Sequence, residues 1–232
     1  MRISGSLLVL LAVVAVFLWV FRVPDADIAT LEAKYGQAPS QFITLPLGER
    51  VHLRDQGNPD GRVLILLHGT SASLHTWEPW VAQLGDDYRI ITVDLPGHGL
   101  TGPIASCDYS VECSVRMVED VREYLGLEHF VIGGNSLGGQ IAWRYALAYA
   151  RYVDGLILSD ASGGPNINPA PMTPAFVLAG IPVLNHLLEI IMPRSLVEKG
   201  LQDATSVDGF VTADKVDRYW QLGRRPGNRK AM

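Results

Sequence analysis

Short apolar runs alternate with longer, helix-like segments along the chain beyond Pro24. The runs VLILL (63–67) and RIITV (89–93) are continuous and rich in valine and isoleucine, which is typical of strands buried on both faces of a parallel sheet. HFVIGG and GLILS (155–159) have the same character. Between them lie three helical segments: SLHTWEPWVAQL, SVECSVRMVEDVREYLGL and residues 136–150. The alternation predicts an α/β fold with a mostly parallel sheet and flanking helices.

Two other regions have different patterns. SQFITLP and RVHLRDQG alternate apolar and polar residues around a turn containing Gly48, which predicts a β-hairpin before the parallel strands. After Ala161 the chain is rich in glycine, proline and asparagine, and then has helical stretches around FVLAGIPVLNHLLEIIM and DKVDRYWQL. No parallel-strand pattern occurs there, so this C-terminal region is expected to form a helical cap carried on the sheet, with a flexible terminus as the alternative.

The N-terminal stretch ISGSLLVLLAVVAVFLWVF (3–21) has 19 residues without a charge, bracketed by Arg2 and Arg22. As a helix it would be about 28 Å long, close to the thickness of a bilayer's hydrocarbon core. A cleaved signal peptide is the alternative, but the stretch is long for one and no small-x-small cleavage site follows. We therefore expect a single-pass membrane anchor at 1–22, a linker at 23–39, an α/β core at 40–164 and the cap at 165–232, with the folded domain outside the cytoplasm.

The amino-acid composition limits the classes of partner and cofactor that we expect. The chain has 232 residues, 48% of them hydrophobic, and a net charge of -5, which favours one globular domain over a disordered chain. No run of lysine or arginine provides a nucleic-acid footprint. Cys107 and Cys113 lie close enough for a disulfide, but Cys113 falls in the first turn of a helix capped by Ser110, so two free or buried thiols are expected. No spacing of cysteine and histidine indicates a metal site, and no cofactor is expected.

The segment VIGGNSLGGQ (131–140) places Ser136 between paired glycines where an apolar strand runs into a helix. Glycines allow the two backbones to crowd past each other at such an elbow, which pushes the serine hydroxyl out above the sheet. The helix N-terminus beneath it favours developing negative charge. Ser136 is therefore the candidate nucleophile, and a glycine-rich turn with a capping serine is the alternative.

Four motifs occur in a fixed order: LLHGTSAS, DLPGHGLTG, GNSLGG and LILSDASG. With them the chain resembles the α/β-hydrolase family over residues 40–232. The resemblance implies that the backbone amides of Thr70 and Leu137 form an oxyanion hole, which would stabilise a tetrahedral intermediate. Serine at the elbow, where dehalogenases and epoxide hydrolases place aspartate, favours acyl transfer on a small apolar ester or similar acyl substrate. A non-catalytic hydrolase-like protein that binds a small apolar ligand or a partner is the alternative function.

The same resemblance implies that an acid and then a histidine follow the serine, each on a loop after a later strand. His186, which is the one histidine after Ser136, lies in an apolar helical stretch and is a poor candidate for the base. Asp160, which follows GLILS, is an alternative acid. The two strands expected next are absent, which would leave GLILS as an apolar edge strand. We therefore expect either a fragment of a longer hydrolase or a degenerate relative.

The remaining histidines are expected to be structural. The resemblance assigns Asp94 and His98 to a turn held for backbone reasons. His68 is expected to organise its loop, and His75 to cap or line the entrance of the pocket. His52 and His129 fall at strand edges, where the pattern predicts no role for them.

Overall fold

The computed structural model describes residues 18–165 and 189–231, together with Val13, Val16 and Ile181. They belong to two compact units. One unit consists of Met1–Asp25 and Ala170–Trp220, and the other of Ala26–Pro169 and Gln221–Met232. The second, called here the sheet unit, contains every strand that the structure describes and all the described candidate residues.

Six strands form the sheet of this unit. Their order across the sheet is β1-β2-β4-β3-β5-β6. β1 and β2 form the predicted hairpin, β2 is antiparallel to β4, and β4, β3, β5 and β6 are parallel, so the predicted mostly parallel sheet is confirmed. The strand bounds are β1 Ser40–Thr44, β2 Arg50–Gly57, β3 Arg62–Leu67, β4 Tyr88–Val93, β5 Phe130–Asn135 and β6 Val153–Ser159.

Parallel pairing brings the carboxyl ends of four strands to one edge of the sheet. Leu67 pairs with Gly134, and Asn135 pairs with Ser159, so the loops after β3, β5 and β6 start side by side. Ligands of open α/β sheets bind outside this edge. β6 is the last strand of the described sheet, and its Leu156 and Leu158 are 41% and 49% exposed.

The two apolar runs form the centre of the sheet, as predicted. In β3 the last four residues are fully buried, and so are the last four of β4. Burial on both faces requires helices on both sides, which explains why these strands lack polar alternation. The largest core cluster contains Ile65, Ile91 and Ile132, together with Tyr145. Each such aliphatic side chain contributes about 1.5–3 kcal/mol relative to an exposed one.

Helices alternate with the strands along the chain and continue after the last of them. Those predicted after Ser110, after Ser136 and in DKVDRYWQL occur as α3, α4 and α6. Of the stretch FVLAGIPVLNHLLEIIM, residues 176–180 and 182–188, and with them His186, lie outside the described residues. The helix bounds are α1 Ile28–Tyr35, α2 Glu78–Leu84, α3 Val111–Tyr124, α4 Leu137–Ala148, α5 Arg194–Asp203, α6 Ala213–Gly223 and α7 Asn228–Ala231, with 3₁₀ turns at Leu74–Trp77 and Ala150–Tyr152.

The expected linker at 23–39 is not extended throughout, because it contains α1. Asp27 caps this helix by accepting a hydrogen bond from the Thr30 N–H, which satisfies one of the free amides of its first turn. Leu31 is buried in a small cluster with Leu100 and Leu222. The cap and this buried side chain both stabilise the short helix.

The two cysteines form a disulfide, so the expectation of free or buried thiols is wrong. Ser110 caps α3 by accepting the Cys113 N–H at 3.1 Å. The preceding loop therefore turns back on the helix and brings the Cα atoms of Cys107 and Cys113 to 5.6 Å, within the range a disulfide needs. Together with Asp108 they place three potential metal ligands within 4.8 Å, but sulfurs joined to each other cannot serve as thiolate ligands.

The expected membrane anchor falls largely outside the described residues. Residues 1–12, 14, 15 and 17 are not among them, whereas residues 18–21 are helical, with Trp19 and Phe21 exposed. In the described part of the chain, no helix combines the length and apolarity needed to cross a bilayer.

Candidate active site

Ser136 occupies the predicted elbow between β5 and α4. Its backbone has φ 52° and ψ −117°, a conformation that residues other than glycine rarely adopt. Close approach requires glycine on both sides: a Cβ at Gly138 would lie 2.2 Å from the Leu67 carbonyl oxygen, and one at Gly134 would lie 2.3 Å from the Gly138 carbonyl carbon. The strand and helix therefore cross at a distance that only these glycines permit.

Hydrogen bonds of the backbone hold Ser136 in this conformation and leave its side chain out of the helix cap. The Ser136 N–H donates to the Ser159 carbonyl oxygen at 3.1 Å, and the Ser136 carbonyl oxygen accepts from the amides of Gln140 and Ser162. Its hydroxyl makes no cap hydrogen bond to α4. Leu137, the first residue of α4, follows directly.

The loop after β3 lies against the elbow. This loop, His68–Leu74, is called here the oxyanion loop after the role that the resemblance implies for it. It brings Gly69 so close to Ser136 that an added Cβ would lie 3.2 Å from the Ser136 Cβ. Thr70 follows Gly69 and is half-buried, and Ser71 has a φ of 61°. The structure therefore brings the residues predicted as amide donors, Thr70 and Leu137, onto segments that flank Ser136.

His68 fixes the start of this loop. Its Nδ1–H donates to the Gly69 carbonyl oxygen at 2.8 Å, and its Nε2 accepts the Leu95 N–H at 3.0 Å. These partners select the neutral tautomer, because a proton on Nε2 would face another N–H. Burial, reinforced by the neighbouring His98, lowers the pKa of His68 to about 4. The geometry supports its predicted role as a loop organiser.

Asp94 joins the oxyanion loop to the turn after β4. One carboxylate oxygen, Oδ1, accepts the Leu74 N–H at 2.7 Å, and Oδ2 accepts the Leu100 N–H at 2.7 Å. Oδ2 also contacts His52 Nδ1 at 2.6 Å. Burial works to raise the pKa of Asp94, but the charge and hydrogen bond of His52 outweigh it and hold this pKa well below its ordinary value.

His52 is the residue that sequence reasoning missed. It was expected to lie at a strand edge without a role, whereas it is fully buried and paired with the equally buried Asp94. Its neighbours Val51 and Leu53 are also fully buried, so both faces of β2 are covered at this point. The alternating pattern of RVHLRDQG resembles a one-sided strand and gave no signal for this pairing.

The remaining candidates are one aspartate that follows β6 and three histidines. Asp160 directly follows Ser159, the β6 residue that pairs with Asn135; it is exposed and has a φ of 46°. His98 is buried, and its Nδ1–H donates to the Pro96 carbonyl oxygen. His75, expected at a pocket entrance, is buried, with its Nδ1 3.0 Å from the Ser73 hydroxyl. His129 is exposed and pairs with Asp154.

Because His68 is neutral in the folded protein, we predict that the free energy of unfolding depends on pH. Its folded pKa of about 4 lies below the unfolded value near 6.5, so the unfolded chain binds more protons between these pH values. The free energy of unfolding should therefore be highest above pH 6.5 and fall by about 3 kcal/mol towards pH 4. Urea unfolding at pH 7, 5.5 and 4.5 measures this. His68→Gln keeps an acceptor for Leu95 but does not titrate, so an equally steep pH dependence in that variant would contradict the assignment.

Comparison with known proteins identifies the family. A family model described as the alpha/beta hydrolase fold matches residues 62–231, which is well over half of the chain. The chain belongs to the α/β-hydrolase fold family. The elbow serine and the glycine-bearing loop beside it are thus parts of an α/β-hydrolase core.

Individual relatives agree with this assignment to the α/β hydrolases. A 2-hydroxy-6-oxononadienedioate/2-hydroxy-6-oxononatrienedioate hydrolase of Cupriavidus pinatubonensis is 32% identical over 211 residues, covering 85% of this chain and 69% of the relative. Human epoxide hydrolase 4 is 31% identical over 112 residues, 48% of this chain and 31% of that protein. The crystal structure of Cfl2 from Burkholderia cenocepacia has a TM-score of 0.71 at 25% identity, covering 83% of this chain and 68% of Cfl2.

Proposed function

We propose that this protein is a membrane-attached serine hydrolase in which Ser136 attacks the carbonyl carbon of a small apolar ester or similar acyl substrate. The strained backbone of Ser136, wedged between Gly134 and Gly138, is the observation that carries the proposal. Such a conformation costs about 1–3 kcal/mol and persists only where the surrounding structure enforces it, as at functional sites. An ordinary strand-to-helix turn has no need of it.

In the proposed step, the Ser136 Oγ forms a bond to the carbonyl carbon while the carbonyl π electrons move to oxygen. The amides of Thr70 and Leu137 would stabilise that oxyanion, and each such donor is worth about 2.7–4 kcal/mol of barrier. The Oγ proton must pass to a base, which returns it to the leaving oxygen as the intermediate collapses, so that an alcohol departs and an acyl-enzyme remains. Asp160, which follows β6 at the same edge of the sheet as Ser136, remains the alternative acid of this scheme.

The names of the relatives narrow the reaction only to hydrolysis. The Cupriavidus protein is named a dioate hydrolase and the human one an epoxide hydrolase. A serine at the elbow favours the acyl reaction, because its attack yields an ester intermediate that water can cleave. The proposal therefore takes an acyl compound rather than an epoxide as the substrate.

Membrane attachment is proposed from the uncharged stretch at 3–21, which is long enough to span the hydrocarbon core. The disulfide of Cys107 and Cys113 supports a location outside the cytoplasm, because disulfides persist in oxidising compartments. Both features would place the hydrolase domain on the extracytoplasmic side of a single-pass anchor.

One observation favours the alternative, a hydrolase-like protein that binds a small apolar ligand or a partner without catalysis. Five of the six histidines are described, and each has its ring engaged away from Ser136, by a carboxylate, a backbone carbonyl or a serine hydroxyl. Among the described residues, therefore, no histidine is placed to take the serine proton. His186 lies outside them.

A combined extraction and labelling experiment tests the proposal. Membranes from the native host are washed with carbonate and treated with a fluorophosphonate probe. We expect the protein to stay in the pellet and to be labelled, and Ser136→Ala to abolish labelling without loss of fold, because only a hydroxyl is removed. Ser106→Ala, which alters an exposed serine, is the matched control. Labelling that persists in Ser136→Ala would place the nucleophile elsewhere, and release of a chain shorter by about 25 residues would indicate a signal peptide instead.

A further inference from the structure

The buried pair of His52 and Asp94 lies outside the proposed chemistry and yet is connected to it. Both side chains are completely inaccessible to solvent, and the distance from His52 Nδ1 to Asp94 Oδ2 is 2.6 Å. Desolvation of two buried ionisable groups offsets much of their mutual attraction, so such a pair contributes little net stability. A pair of this kind therefore calls for a reason beyond stability.

The partners of Asp94 supply that reason. Its Oδ1 accepts the N–H of Leu74, the last residue of the oxyanion loop, and its Oδ2 accepts the N–H of Leu100 in the turn after β4. The two oxygens thus hold two separate segments at fixed positions. The orientation of the carboxylate plane determines where the end of the oxyanion loop lies.

His52 determines that orientation. Its own position is fixed by β2, by a hydrogen bond from its N–H to the Thr101 hydroxyl at 2.9 Å, and by stacking on the Phe42 ring at 4.9 Å between centroids. Its Nδ1 is directed at Asp94 Oδ2, whereas its Nε2 has no hydrogen-bond partner in the described part of the chain. Among the described residues, Asp94 is therefore the hydrogen-bond partner of this ring.

The oxyanion loop needs such an anchor at both ends. At its start His68 bonds to Gly69 and Leu95, and between the ends Ser71 is held at a φ of 61°. A residue other than glycine keeps that conformation only where its surroundings enforce it. Without a fixed Asp94, Leu74 would lose its acceptor, and the loop could relax away from Ser136.

We propose that His52 is a positioning residue which, through Asp94, holds the oxyanion loop and hence the Thr70 amide in place beside Ser136. This inference rests on the proposed function, because the Thr70 amide matters only if Ser136 forms an oxyanion. His52 itself touches no reacting atom. Its effect is transmitted by one carboxylate and one backbone amide.

Two substitutions of His52 distinguish the effect of its hydrogen bond to Asp94 from the effect of its side-chain volume. His52→Leu fills the site but removes the donor to Asp94, whereas His52→Asn places an amide nitrogen where Nδ1 was. His129→Asn is the matched control, since that histidine is exposed and pairs with Asp154 away from the loop. Each variant is expressed in the native host. Its fluorophosphonate labelling kinetics and its hydrogen exchange are then measured at temperatures well below its unfolding midpoint.

In His52→Leu we expect the second-order labelling rate at Ser136 to fall about tenfold or more, since imperfect placement of one oxyanion donor costs part of its transition-state stabilisation. Hydrogen exchange should accelerate in residues 70–74 but not in α4. His52→Asn should recover most of the labelling rate, and His129→Asn should match the parent. A purely structural role would lower the midpoint without this selective recovery.

The outcomes that overturn the proposal are distinct from those that overturn the proposed function. Equal labelling rates in His52→Leu and the parent, or accelerated exchange throughout α4, would exclude a positioning role. If the parent shows no labelling that depends on Ser136, the proposed function fails. Hydrogen exchange then decides alone: unchanged exchange in residues 70–74 of His52→Leu overturns the positioning of the loop by His52.

Discussion

Replacing Gly138 by alanine is expected to destabilise the sheet unit by about 3 kcal/mol or more and to lower labelling of Ser136 by about a hundredfold. The added Cβ would lie 2.2 Å from the Leu67 carbonyl oxygen and 2.5 Å from that of His68. Both obstacles are backbone atoms at the end of β3, so they cannot rotate aside. The start of α4 must move instead, and it takes the Leu137 amide with it.

Urea unfolding and fluorophosphonate kinetics measure the two effects of Gly138→Ala. Gly200→Ala is the matched control: Gly200 lies inside α5, where an added Cβ meets no atom within 4 Å. This substitution should leave the free energy of unfolding unchanged or raise it by about 0.5–1 kcal/mol, because alanine has a higher helix propensity than glycine. A Gly138→Ala variant with parental stability and labelling would mean that the elbow is looser than the contacts indicate.

The second large effect concerns turnover. Under the alternative function, in which the protein binds a ligand without catalysis, it should cleave a short-chain nitrophenyl ester at no enzymatic rate, even with its elbow and oxyanion loop formed. A serine hydroxyl is a weak nucleophile at neutral pH without a base within hydrogen-bond reach. The described histidines are all engaged elsewhere. A site without triad function retains only about 10³–10⁴-fold acceleration over water, from binding and the oxyanion hole.

Initial rates of the parent and of Ser136→Ala, measured over a range of ester concentrations, test this expectation. Saturable kinetics that disappear in Ser136→Ala would contradict it, since the chain would then contain its own base. His186→Ala identifies that base if it also abolishes the rate, and Asp160→Asn would show whether the exposed aspartate beside Ser136 supports it. His129→Asn serves as the control, because its ring pairs with Asp154.

The sequence by itself determined the order of the strands and helices and the position of the elbow. Continuous apolar runs predicted β3 and β4 because a strand covered on both faces has no place for polar alternation. The Ser110 cap and the helical period predicted α3, which begins at Val111. The glycines around Ser136 predicted a tight strand-to-helix crossing, because local backbone geometry depends on residues that are adjacent along the chain.

Only the tertiary structure decided which distant side chains meet. His52 and Asp94 are 42 residues apart and come together through pairing of β2 with β4. Cys107 and Cys113 required the turn before α3, and no spacing rule specifies the direction in which a loop folds back. A polar residue within a strand gives the same pattern whether its partner is water or a buried carboxylate. The partner is chosen by sheet order, which is a property of the whole folded chain rather than of any single segment.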